Sequence, residues 1–181
     1  MLQIAVPLGV EQWDEKTEQF IEPEYLTLQL EHSLDSLSKW ESKWHKPFLS
    51  KERKTVEETM DYIKCMTVTE NVDPHVYDFL TSENLTAVND YIGDPMTATT
   101  ISENKNAKPN REIVTSELVY YWMIALQIPF ECQYWHLNRL LTLIKVCNIK
   151  NQPPKKMSKR DIMSRNAALN AARRKQLNSK G

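Results

Sequence analysis

Cys132 and His136 stand four residues apart in a segment that reads as helix, a spacing that brings both side chains to one face. A thiolate and an imidazole so placed are half of a zinc site, which needs three or four ligands. Only Cys147 could help, so a core thiol beside a hydrogen-bonded histidine is the better reading. Glu57, Glu58 and Asp61 offer paired carboxylates for acid–base chemistry. They also begin a helix, where the macrodipole favours acidic residues for purely structural reasons. His32, His45 and His75 lie near Ser or Asp residues, but no spacing singles out a nucleophile and its base. Phosphate-cradling loops need glycine, and with three glycines the chain has neither G-x-G-x-x-G nor G-x-x-x-x-G-K. These residues predict no catalytic, cofactor or metal site, and a protein that is not an enzyme.

Binding chemistry is better supplied. Trp40 and Trp44 share a helix face and are flanked by Lys39, Lys43 and Lys46. Tyr and Trp are enriched at binding hot spots because they bury large area and keep a polar handle. Such rings are equally good core residues, so this pair is as much a candidate partner surface as a packed seam, whereas Trp122 reads as core. The strongest signal is charge. Residues 1–152 carry 14 Lys and Arg against 23 Asp and Glu, a net of −9. Residues 153–181 carry nine against Asp161 alone, a net of +8. Such a tail can meet phosphates in a salt-sensitive way. It holds no aromatic for base stacking, and an acidic body repels a polyanion, so docking on an acidic protein, folding back on its own body and a merely solvated tail stand beside nucleic acid. Ile162, Leu169 and Leu177 form a thin apolar stripe along it, accompanied by Arg165, Arg173 and Arg174.

The elements that position these residues follow from periodicity. A body of about 150 residues with 41% hydrophobic content is enough for one core. No stretch approaches the roughly 18 apolar residues of a membrane span, and residues 1–7 lack the basic region of a secretory signal. Cys65, Cys132 and Cys147, odd in number and set in apolar stretches, suggest reduced thiols. Residues 2–6 and 25–30 alternate as strands, with Pro7 and Pro23 at strand ends, giving a small antiparallel sheet. Ser33 caps a helix carrying Leu34, Leu37, Trp40 and Trp44. Thr55 to Glu58 has capping-box spacing, Asp73-Pro74 opens a short helix, and Thr81 or Ser82 opens one that closes at Gly93. Residues 96–109 read as a long polar loop.

Residues 112–127 are apolar nearly all round, and residues 131–149 carry Leu137, Leu140, Leu141, Ile144 and Cys147 at helical spacing. They predict a helical hairpin over 112–149 that forms the core, with Asn138, Thr142 and Lys145 turned away from it. Ser158 and Asp161 have capping-box spacing before an Ala- and Arg-rich segment able to become helical on a partner. The expected architecture is mainly α, in effect α+β with a small N-terminal antiparallel β element. Residues 1–32 form that element, 33–152 the helical body, and 153–181 a basic, conditionally helical tail.

Three segments carry a resemblance. They are Ser36-Leu37-Ser38-Lys39-Trp40-Glu41-Ser42-Lys43-Trp44-His45-Lys46-Pro47-Phe48, Ser116-Glu117-Leu118-Val119-Tyr120-Tyr121-Trp122-Met123, and Trp135-His136-Leu137-Asn138-Arg139-Leu140-Leu141. With the Ala/Arg/Lys-rich C-terminus they resemble the tail assembly chaperones of long-tailed bacteriophages (siphoviruses). The resemblance extends over most of the chain but is one of texture, with no catalytic motif to carry over. It implies a non-enzymatic assembly factor in the infected host's cytoplasm, absent from the mature virion. Its partners would be the tape-measure protein and the major tail-tube protein, with self-association possible and neither nucleic acid nor membrane involved. Family members often occur in two lengths through frameshifting, and the end at Lys180-Gly181 suits the shorter. A nucleic-acid-binding module acting through the tail, and a head–tail connector, are the alternatives.

Overall fold

The computed structural model describes residues 1–9, 12–14, 19–21, 23–101, 112–152 and 158–178, with backbone alone at 12–14 and 19–21. Part of the 96–109 loop and the start of the basic tail lie outside these residues. The chain divides into two compact units, Met1–Asn148 and Ile149–Gly181. It is mainly helical with a small antiparallel sheet near its N-terminus.

Strands β1 (Leu2–Pro7) and β4 (Tyr25–Leu30) pair antiparallel from Leu2 opposite Leu30 to Pro7 opposite Tyr25. Their alternation sends Ile4, Val6, Leu28 and Leu30 inward, while Gln3, Ala5, Thr27 and Gln29 face out. A second ribbon pairs β2 (Gln12–Asp14) with β3 (Gln19–Ile21). The chain leaves β4 through Glu31 and His32 into α1 (Leu34–Trp44), where Ser33 and Ser36 form a reciprocal capping box. The same device starts α2 (Val56–Met66) with Thr55 and Glu58, and α3 (Ser82–Gly93) with Thr81 and Asn84. Asp73 and Pro74 open a 3-10 helix, η1 (Pro74–Phe79).

Helix α1 is the shared wall of two apolar clusters. On one side Trp40 joins the sheet, α2, η1 and α3, with Val6, Leu28, Tyr62, Ile63 and Val88 inside. On the other, Leu34 and Leu37 join Val119, Met123, Leu137, Leu140 and Ile144. Each of these fully buried side chains stabilises the fold by about 1.5–3 kcal/mol relative to exposure. The core is therefore divided by α1, and the 112–149 segment builds only its second half.

That segment also departs from a plain hairpin. Helix α4 spans Ser116–Ala125, a 3-10 helix η2 spans Phe130–Tyr134, and α5 runs Leu137–Asn151. The break at Trp135 and His136 is made by a backbone bridge from His136 to Ser33 and by the Leu137 amide donating to the His32 carbonyl at 2.7 Å. Tertiary pairing with the start of α1 thus ends a helix that periodicity alone would extend back to residue 131. Asn138 is not turned away from the body: its amide nitrogen donates to the carbonyls of Ile92 (2.9 Å) and Asp94 (2.8 Å), closing the C-terminus of α3. In the second unit, α6 (Lys159–Leu177) starts at Ser158, whose hydroxyl accepts from the Asp161 amide, and it buries none of its residues.

Candidate protein-docking surfaces

Trp40 and Trp44 do not form a partner surface. The Trp40 ring is 1% exposed, its Nε1–H donating to the Glu58 carbonyl at 2.8 Å, and it stacks on Trp44 with centroids 6.2 Å apart. Trp44 is half-buried, its Nε1–H donating to Asp61 at 2.8 Å. The lysines beside them are taken as well: Lys39 pairs with Asp35, Lys43 with Asp61 and Lys46 with Glu58. What looked like a cationic aromatic face is the seam between α1 and α2. The same contacts account for Glu58 and Asp61, while Glu57 is exposed in the first turn of α2. Glu58 accepts from Lys46 and from the Thr55 amide, and these hydrogen bonds hold its carboxyl below the usual range.

Cys132 is buried in η2, its thiol pushed up first by burial and then by Glu131. His136, at the start of α5, donates from Nε2 to the Tyr91 carbonyl at 2.9 Å, and its buried Nδ1 has no hydrogen-bond partner among the described residues. Its ring meets those of His32 (5.1 Å) and Tyr91 (4.9 Å) edge-on. His32 shares a 2.6 Å hydrogen bond with the Tyr62 hydroxyl. Burial, and secondarily the charge of His136, lowers the His32 pKa to about 3. His45 closes α1 in the left-handed region, and His75 pairs with Asp78 on the surface. Among the described residues no three His, Cys, Asp or Glu side chains gather as metal ligands.

The exposed apolar surface lies elsewhere. Helix α4 sends Val119 and Met123 into the core but leaves Tyr121 63% and Ile124 61% exposed, three residues apart on its outer side. Phe130 and Tyr134 of η2 are also mostly exposed. The two elements are joined where Tyr120 stacks on Phe130 (6.4 Å) and donates to Gln133 at 2.9 Å. The apolar run over 112–127 predicts a helix packed nearly all round, whereas Tyr121 and Ile124 are exposed. A run apolar on every face cannot reveal which face goes uncovered, so this surface had no signal of its own in the sequence.

Helix α6 presents the second surface. Ile162, Leu169 and Leu177 are exposed, Leu177 at 77%, as are Arg165, Arg173 and Arg174. From residue 158 to 178 there are six Lys and Arg against Asp161. The stripe expected from the sequence is thus carried on one continuous helix. No helix among the described residues is long and apolar enough to cross a membrane. No protein-family model, no curated protein and no solved structure matches this chain.

Proposed function

We propose that this chain is a non-enzymatic tail assembly chaperone of a long-tailed bacteriophage, which binds the tape-measure protein and assists tail-tube polymerisation around it. The observation that carries the reading is the outer side of α4 and η2. Tyr121, Ile124, Phe130 and Tyr134 stand exposed on elements that send Val119, Met123 and Cys132 into the core, as expected of a surface that holds apolar client segments. Helix α6 adds a cationic arm with an apolar stripe, suited to weak, reversible contacts with an acidic or amphipathic partner. On this reading the protein acts in the host cytoplasm and leaves before the virion is complete.

Co-expression with a tape-measure protein is the test. The client becomes soluble and co-purifies with the wild-type chain, and Tyr121→Ser with Ile124→Ser abolishes both effects. A client equally soluble with and without this chain overturns the reading. The excess of exposed basic residues on α6 favours nucleic acid as a second reading. That one requires an affinity for duplex DNA or RNA that falls steeply with salt and vanishes on deletion of residues 153–181.

A further inference from the structure

A cleft of roughly 320 Å³ opens between α2 and α3. Phe48, Ile63, Leu85 and Val88 form its apolar walls, with Lys54 and Asn89 at its edge. Lys54 is half-buried, with its ammonium 4.3 Å from the Phe48 ring centroid and 6.0 Å from that of Trp40. It forms no ion pair with a carboxylate among the described residues. Glu58, whose field reaches it, has one oxygen on Lys46 and the other on the Thr55 amide. Burial therefore lowers the Lys54 pKa, with Glu58 opposing. Its aromatic neighbours solvate the cation in part but do not neutralise it. The charge around it is unusual for this chain. Residues 45–54 hold four Lys and Arg against Glu52 alone, in a body whose net charge is −9.

We propose that this cleft seats one large apolar side chain of a partner segment, with a neighbouring carboxylate of that segment on Lys54. The inference rests on the protein-binding reading above and names a second docking point for it. The volume lies at the lower limit of small-ligand pockets, which run from about 300 to 1,000 Å³, and so suits a side chain whose backbone stays outside. The exposed Thr59 and Asn89 leave room along α2 and α3 for that backbone. A carboxylate beside the apolar group supplies the one partner Lys54 lacks, through a charge-assisted hydrogen bond.

Octanoate, an apolar chain bearing a carboxylate, probes the site in the full-length protein, with octanamide as its neutral counterpart. Octanoate produces saturable NMR shifts of the Leu85 and Val88 methyls, and octanamide binds about tenfold more weakly, the worth of one charged hydrogen bond. Lys54→Gln removes that difference, and Leu85→Trp, which fills the cleft, removes binding. Both variants then lower the amount of co-purified tape-measure protein by about tenfold. Equal affinity for the two probes, or no shift with either, overturns the proposed chemistry. Octanoate binding with client capture unchanged in both variants overturns the partner segment and leaves a site for free acids. If the wild-type chain captures no client, the chaperone reading fails and the occupant with it, while the titration still decides the chemistry of the cleft.

Discussion

Two buried polar side chains set the residue-scale energetics. Glu41 accepts from the Phe48 amide and from the Ser116 amide, both at 2.7 Å, so a side chain of α1 caps α4 from 75 positions away. Thr115, at the N-cap position itself, makes no side-chain cap. Glu41→Ala leaves both amides unpaired and is expected to cost about 2–4 kcal/mol, read as a lower urea midpoint with unchanged slope. Glu57→Ala, at an exposed position in the first turn of α2, should stay within about 0.5 kcal/mol. His32 sets the acid response. Its folded pKa of about 3 lies below the ordinary 6.5, so the unfolded chain binds its proton more readily. Its burial costs nothing above pH 6.5, and stability falls as pH drops from 6.5 towards 3. Between pH 7 and pH 5 the loss from this group is roughly 2 kcal/mol, at 1.36 kcal/mol per unit. Urea midpoints at the two values check it. His32→Gln should flatten the difference, and an unchanged difference would remove His32 from the account.

At the scale of elements, the signals that act within a few residues were legible. Ser33, Thr55, Asp73 and Thr81 each open the helix their spacing announces, and the β1 and β4 alternation gives both pairing and inward face. Interactions that join distant parts of the chain were not. Glu41 on Ser116, Asn138 on α3, and the His136 bridge that starts α5 late all depend on the fold being present. The docking surfaces divide the same way. The α6 stripe follows from sequence because Ile162, Leu169 and Leu177 lie on one helix and are exposed. The buried place of Trp40 was not legible, since Lys43 and Lys46 pair with Asp61 and Glu58 on α2, which no local pattern predicts. Trp40→Phe, which loses the hydrogen bond to the Glu58 carbonyl and part of the ring, should therefore cost about 2–4 kcal/mol of stability. The paired substitution Tyr121→Ser and Ile124→Ser should change stability by no more than about 1 kcal/mol, measured by urea denaturation alongside client capture.

For the whole molecule, the division at Asn148 makes a simple prediction. Since α6 buries no residue, deletion of residues 153–181 should leave the urea midpoint of the body unchanged. A lower midpoint would mean that the tail contributes to the folded body. The shared wall at α1 has a consequence of timing. The sheet, α2, η1 and α3 are complete by Gly93, so the first cluster can assemble as soon as those residues leave the ribosome. The Leu34 and Leu37 side of α1 receives its partners only when Val119 to Ile144 have been made. At about 5–20 residues per second, that face stays bare for roughly 3–10 seconds in every round of synthesis. The nascent chain thus passes through an interval in which one side of α1 stands uncovered.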